Sequence, residues 1–324
     1  MPDHLLSGGT QPMPELPAPF ADFYQSGGPS STGCRLCPRC CGADRAVSFG
    51  YCQAPAGIVA ARAALHPWEE PCISGTRGSG TVFFSGCTLG CVFCQNYQIS
   101  REAFGKPISV SRLSEIFLEL QEAGAHNINL VTPTQYLPWI VPALDAVRDR
   151  LAIPVVYNCG GYERAEVVAA LAPYVDIWLP DLKYQDPALS ASLSQAPDYF
   201  AAAHRAIRQM VLQTGPPELD GDGIMKRGVI IRHLVLPGHR HDSIRLLHWL
   251  AGALPKGQYY ISLMSQYTPY RKIPEHPELD RRITRYEYDQ VVEEALRLGL
   301  DLGYMQKKSS AKEEYTPPFG LQGL

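Results

Sequence analysis

Three cysteines within eight residues, Cys87-Thr-Leu-Gly-Cys91-Val-Phe-Cys94, hold the densest metal-binding chemistry of the chain. A structural zinc site usually draws its thiolates as separated Cys-x-x-Cys pairs. Here the spacing is unequal, and no further cysteine or histidine follows close after Cys94. Thiolates are also the ordinary ligands of iron–sulfur clusters. Three of them on a [4Fe–4S] cluster leave one iron open to an outside ligand, and that iron is where chemistry would occur. On spacing alone three readings stand: an open-site iron–sulfur cluster, a structural zinc, and thiols that are merely buried or redox-active.

The elements that must position this loop follow from the apolar pattern. Gly80-Thr-Val-Phe-Phe-Ser-Gly86 reads as a buried strand ending in a glycine turn. Further apolar runs stand at 127–132, 154–157, 175–179, 228–236 and 259–264, with helical segments between them. Leu113, Ile116, Phe117 and Leu120 keep helical spacing up to Gly124, and Thr284-Arg-Tyr-Glu287 is a capping box opening a last helix. Strands alternating with helices predict parallel pairing with right-handed crossovers, in an open sheet or a barrel. In either case ligands bind at the C-terminal ends of the strands, which is where the cysteine loop lies.

Composition bounds the rest. A chain of 324 residues, 45% hydrophobic and 19% charged, is long enough for a large α/β domain with additions. A formal charge of −3 gives no footprint for nucleic acid or an anionic membrane. No apolar run approaches a membrane span, and no basic residue precedes Arg35, so a cytoplasmic protein is expected. Clustered cysteines in a reducing compartment more often bind metal or do redox chemistry than form disulfides. Of the ten cysteines, Cys34, Cys37, Cys40, Cys41, Cys52 and Cys72 precede the loop and Cys159 stands alone, which suggests two metal sites. The expected division is a disordered tail at 1–33, a cysteine-rich module at 34–79, the strand–helix domain at 80–306 and a C-terminal tail at 307–324.

The loop resembles the CxxxCxφC signature of radical SAM enzymes, with Phe93 as the aromatic residue before the last cysteine. The stretches Glu69–Gly75, Ser79–Cys87, Cys94–Ser100, Asn129–Thr134, Leu179–Lys183, Arg232–Gly238 and Leu263–Tyr267 resemble the pyruvate-formate-lyase-activating-enzyme-like branch, and the likeness runs over about residues 34–306. The resemblance implies a partial (β/α)6 barrel with an N-terminal cysteine-rich metal-binding extension. It also implies an oxidoreductase in which Cys87, Cys91 and Cys94 hold a [4Fe–4S] cluster whose open iron chelates S-adenosylmethionine (SAM). One-electron reduction, from reduced flavodoxin or ferredoxin, then cleaves SAM to methionine and a 5′-deoxyadenosyl radical that abstracts hydrogen. The substrate is a protein, a peptide or a small molecule; activation of a glycyl-radical enzyme is one option.

Strand-end polar residues are the candidates for SAM contacts. Thr132 and Thr134 stand where many radical SAM proteins carry a Gly-Gly-Glu segment, absent here, that binds the methionine amino group. Asn158 ends the third strand before Gly160-Gly161, with Cys159 expected to be a small buried residue. Asp181 and Lys183 flank Leu182 and so share one side; the matching pair of activating enzymes lies near the SAM carboxylate. Arg232 lies within an apolar strand and needs a partner. Gln266 and Tyr267 end the sixth strand, on the adenosine side. His66 is expected to pack rather than ligate.

The resembling branch reads CxxCPRxC…C, which nominates Cys34, Cys37, Cys41 and Cys52 for a second site, with Cys40 and Cys72 spare. Zinc, a rubredoxin-like iron and an accessory Fe–S cluster all suit four thiolates. Activating enzymes with a second-cluster insert carry it after the loop, whereas here these cysteines come before it. The rival from another class is a non-catalytic zinc-binding protein that acts through partner interactions.

Overall fold

The apolar runs become the strands of one extended sheet in the computed structural model, which describes residues 18, 20–25, 33–306 and 317–324. A small hairpin comes first, Tyr24–Gln25 (β1) against Gly33–Cys34 (β2). Then follow Ile58–His66 (β3), the short helix Pro71–Ser74 (α1), Ser79–Phe84 (β4), Tyr97–Ser100 (α2), Lys106–Ile108 (β5) and Val110–Glu122 (α3). The middle of the chain runs Ile128–Val131 (β6), Leu137–Asp145 (α4), Val155–Cys159 (β7), Ala165–Ala170 (α5), Ile177–Pro180 (β8), Pro187–Ser194 (α6) and Tyr199–Thr214 (α7). Glu218–Leu219 (β9), Met225–Leu234 (β10), Arg240–Ala253 (α8), Tyr260–Met264 (β11), Arg285–Arg297 (α9) and Gly303–Met305 (β12) complete it.

The sheet order is β12-β11-β10-β8-β7-β6-β4-β3-β5, with β9 appended to β10. All neighbours from β4 to β12 along this path are parallel, and β3 and β5 are antiparallel additions at one edge. The two edges, β12 and β5, do not pair with one another. This is the partial (β/α)6 barrel expected from the sequence, with β12 as a further short parallel strand.

Alternation along the strands sorts side chains into two cores. Val82, Phe84, Leu130, Tyr157, Trp178 and Ile231 pack outward with the helices. Phe83 and Val131 belong to one inner cluster, and Val156, Ile177, Leu179 and Ile230 to another. Cys72 and Ile73 of α1 complete the second cluster, so α1 plugs the barrel at the N-terminal halves of its strands. In α3, Leu113, Ile116, Phe117 and Leu120 are all buried, the Ser109 hydroxyl accepts from Arg112 N, and Gly124 follows in the left-handed conformation. The capping box of Thr284 and Glu287 on α9 is formed.

Three boundaries differ from expectation. Within the supposed tail, Phe20 and Tyr24 are buried, Phe20 edge-on to Tyr174 and Tyr24 to Trp139, because two aromatic rings supply enough apolar surface to anchor a Pro-rich stretch. The rest of 1–33 lies outside the described residues, apart from Ala18, Gln25, Gly33 and the three residues between the two rings. The cysteine-rich module contains β3, whose four alanines disguise a strand that pairs along nearly the whole of β4. At the C-terminal end, residues 317–324 lie on β3: Leu321 N donates to Ala61 O at 3.2 Å, Ala63 N to Gln322 O at 2.8 Å, and Phe319 meets Phe83 with ring centroids 5.4 Å apart. Residues 307–316 lie outside the described residues. Among the described residues no helix is long and apolar enough to cross a membrane.

Candidate cluster and cofactor site

A cavity of about 670 Å³ occupies the barrel, and Cys87, Cys91 and Cys94 all line it. The loop that carries them leaves β4 through Gly86, whose φ of 79° is left-handed and where a Cβ would collide with the Cys52 carbonyl oxygen. Phe93 then locks the loop, edge-on to both Tyr184 and Tyr267 at centroid distances of 6.5 and 6.2 Å. Each thiol accepts a hydrogen bond: Cys91 Sγ from Ser194 Oγ at 3.0 Å, Cys94 Sγ from Ser100 Oγ at 3.4 Å and Cys87 Sγ from Leu89 N at 3.4 Å.

Burial, reinforced by Cys91 and Cys94, pushes the Cys87 thiol up to about 12, and burial and Cys91 raise Cys94 likewise. Three crowded thiols with donors already aimed at sulfur are poor free thiolates. They become good ones once a cationic cluster neutralises their charge, so the donor set fits the expected group. Among the described residues no three His, Cys, Asp or Glu side chains converge on a single ion. Thiolates that bind different irons of one cluster do not need to converge.

Beside the loop lies a layer of largely buried charge. Arg232 donates through Nε to Asp181 Oδ1 at 2.9 Å, through Nη1 to Glu69 Oε2 at 3.3 Å and through Nη2 to Asn158 Oδ1 at 2.6 Å. Lys183 Nζ donates to Asp181 Oδ2 at 2.6 Å. Asn129 and Asn158 both donate to Glu69 Oε1, at 3.2 and 3.3 Å. Burial opposes ionisation of Asp181, but Arg232 and Lys183 outweigh it and hold the carboxyl below its usual range. Glu69 goes the other way: burial raises it, against the pull of Arg232 and Asn129. Desolvation likewise works against the charge of Lys183, and Asp181, Cys91 and Cys94 restore it and raise the ammonium above its ordinary value. Lys183 therefore couples the charged layer to the cysteine loop.

Of the residues nominated from the sequence, Thr132, Asn158, Asp181, Lys183, Arg232, Gln266 and Tyr267 line the cavity. Thr132 does so with φ at 57°, an uncommon conformation for a β-branched residue. Beyond that turn Thr134 does not line the cavity. Its hydroxyl donates to Glu163 Oε1 at 2.8 Å and accepts from Tyr157 at 3.0 Å, and it borders the other cysteine site instead. Gln266 Oε1 accepts from Gln306 at 2.9 Å, and Tyr267 donates to Leu279 O at 2.7 Å. Cys159 is buried, as is His66, which meets Phe83 edge-on. Sequence reasoning missed Glu69 and Glu70 as site residues; two adjacent acids directly before Pro71 were the available signal.

Cys34, Cys37, Cys41 and Cys52, nominated for a second site, line one small pocket of about 10 Å³ together with Arg45. Arg45 is buried, donates to Cys34 Sγ at 3.0 Å and to Gln135 O, and stacks 5.0 Å from the Tyr24 ring. The hydrogen bond with Cys34 draws Cys41 down to about 5, and the same bond and burial push Cys34 up. Cys40 is exposed, its thiol donating to Cys37 O at 3.4 Å, and Cys72 sits on α1 in the barrel floor, so neither joins the four. Arg39 fastens this module to the cysteine loop by donating to Thr88 O at 3.0 Å and Ser194 O at 3.1 Å, as does Tyr51 to Leu89 O at 2.8 Å.

A parallel partial barrel with a three-thiol loop after its first parallel strand and buried charge beside it defines a cofactor-dependent α/β enzyme class. Residues 81–211 match the family model described as the Radical SAM superfamily, so this segment is a radical SAM domain, with a [4Fe–4S] cluster and SAM as its cofactors. The chain is 29% identical over 281 residues to the uncharacterized protein MJ0674 of Methanocaldococcus jannaschii, covering 84% of this chain and 76% of that protein. Among solved structures it is similar to Streptococcus suis SuiB bound to S-adenosylmethionine, at 16% identity and a TM-score of 0.44, over 68% of this chain and 45% of that one. Methylornithine synthase (PylB) is similar at 17% identity and a TM-score of 0.42, over 67% and 68% of the two chains. The chain thus spans under half the length of SuiB.

Proposed function

We propose that this protein is a radical SAM oxidoreductase that cleaves SAM reductively and abstracts hydrogen from a substrate bound in the same cavity. The observation that carries the reading is the meeting of Cys87, Cys91 and Cys94 with Lys183, Asp181, Arg232 and Asn158 on one cavity wall. The bound cluster supplies one electron, taken from a donor such as reduced flavodoxin or ferredoxin, to the sulfonium of SAM. The chain's residues do the rest. Lys183 and Arg232 offer positive charge to the SAM carboxylate, and the Thr132 hydroxyl takes the place of the missing Gly-Gly-Glu segment at the amino group. Asn158 serves the ribose hydroxyls, and Gln266 and Tyr267 flank the adenine. Phe93 and Tyr267 keep water away from the loop.

In the same reading Cys34, Cys37, Cys41 and Cys52 hold a second metal whose role is structural. Four thiols around one small pocket, with a buried arginine donating to sulfur, support it.

The test is anaerobic, iron-replete protein given SAM and dithionite. Release of 5′-deoxyadenosine and methionine in equal amounts is expected. Protein that carries zinc at both sites and leaves SAM intact would instead be the non-catalytic binding protein.

A further inference from the structure

Glu70 is the one acid of the charged layer that no base hydrogen-bonds. It is only 8% exposed and lines the cavity. It occupies the N-cap position of α1 yet makes no side-chain capping bond there. Its side-chain partner is the Ser262 hydroxyl. Arg232 is near enough to act on it, but the guanidinium donates to Asp181, Glu69 and Asn158. None of the ion pairs among the described residues includes Glu70. Three carboxylates, Glu69, Glu70 and Asp181, therefore stand against two cations, Arg232 and Lys183. His66, the other titratable base on the cavity wall, is held neutral: burial and Arg62 push it down to about 4. A buried carboxylate without a cation is costly, and the cost is removed by a proton or by a cationic ligand.

The position of Glu70 decides which ligand. Lys183 feels the charge of Cys91 and Cys94, whereas the cysteine that feels Glu70 is Cys72 in the plug. Glu70 thus lies on the floor side, away from the loop where SAM meets the cluster. A cavity of about 670 Å³ is in the range for one drug-sized ligand with some space to spare. Below it, Cys72 and Ile73 pack against Val156, Ile177 and Ile230, so no polypeptide threads in through the floor.

We propose that Glu70 is the substrate anchor, receiving a protonated amine on a small molecule or a single side chain that fills the floor side of the cavity beneath SAM. The proposal rests on the radical SAM reading of the cavity. It names the substrate class as cationic amines, with Ser262 orienting the carboxylate.

The experiment is calorimetric binding of three matched probes, butylamine, butyric acid and 1-butanol, to the full-length, anaerobically reconstituted, SAM-saturated protein. Butylamine is expected to bind about tenfold or more tightly than either other probe. Glu70→Gln removes that preference, and Glu70→Asp, which keeps the charge, retains part of it. A preference that survives Glu70→Gln, a preference for butyric acid, or no binding of any probe overturns the proposal. The last outcome is the one expected if the hydrogen comes from a backbone glycine of a partner protein. SAM affinity is measured on the same variant: a loss of SAM matching that of the amine would assign Glu70 to the ammonium of SAM itself and also overturn it. Failure of wild-type protein to cleave SAM is a separate result, and it strikes the cofactor reading without touching the amine preference.

Discussion

The two cysteine sites lie on either side of the Thr88–Leu89 segment and differ in what their thiols face. Cys87, Cys91 and Cys94 open onto a cavity of about 670 Å³ that also holds Lys183, Asp181 and Arg232. Cys34, Cys37, Cys41 and Cys52 close around about 10 Å³ sealed by Arg45. Both sites bring thiols together beside a buried arginine. The difference lies in free volume and in the partners of that arginine: carboxylates and amides in one case, a thiol, a carbonyl and an aromatic ring in the other. On the proposed reading, a metal with room and polar groups around it can take a ligand, and one closed in by thiols has no place for it. The second site nevertheless bears on the first, because Arg39 and Tyr51 tie its module to the carbonyls of the cluster loop.

The cysteines break this comparison most directly. Alanine at Cys87, Cys91 and Cys94 is expected to abolish SAM cleavage while the melting temperature changes little. Alanine at Cys37 and Cys52 is expected to do the reverse, leaving measurable cleavage at low temperature but costing about 3–5 kcal/mol in denaturant unfolding as a structural metal is lost. Equal loss of cleavage in both variants would make the second site part of the reaction.

The two arginines sharpen it. Arg232→Met strands buried Asp181 and Glu69 and is expected to cost about 3–5 kcal/mol, read from the urea midpoint. Arg45→Met leaves the Cys34 thiol, which its bond with Cys41 and burial hold protonated, and one carbonyl without a donor, so about 1–3 kcal/mol is expected for metal-free protein. The order should invert if Cys34 is ionised.

What was legible in the sequence was whatever carried a local period or a conspicuous exception to one. The three-thiol spacing, the apolar runs of the parallel strands, and a lone arginine in the apolar run of β10 each stand out within a few residues, and the structure places the thiols and the arginine at the cavity and makes the runs its strands. What escaped depended on distant partners. Glu69 and Glu70 lie in an aperiodic stretch that reads as surface, and only the folding of α1 into the barrel buries them. Alanine-rich β3 has no apolar contrast, and Phe319 acquires a place because β3 leaves an edge for residues 317–324 to cover. Thr134 stands off the cavity next to one left-handed residue, Thr132, and a threonine in that conformation has no sequence signature.

The central claim is that the three-thiol loop holds a cluster with an iron open to SAM. Electron paramagnetic resonance of the dithionite-reduced, anaerobic protein, recorded with and without SAM, tests it most directly. The account predicts a reduced [4Fe–4S] signal, absent from the Cys87, Cys91 and Cys94 alanine variant, whose g-values shift when SAM is added. A signal that is the same with and without SAM, or that persists in that variant, would contradict it.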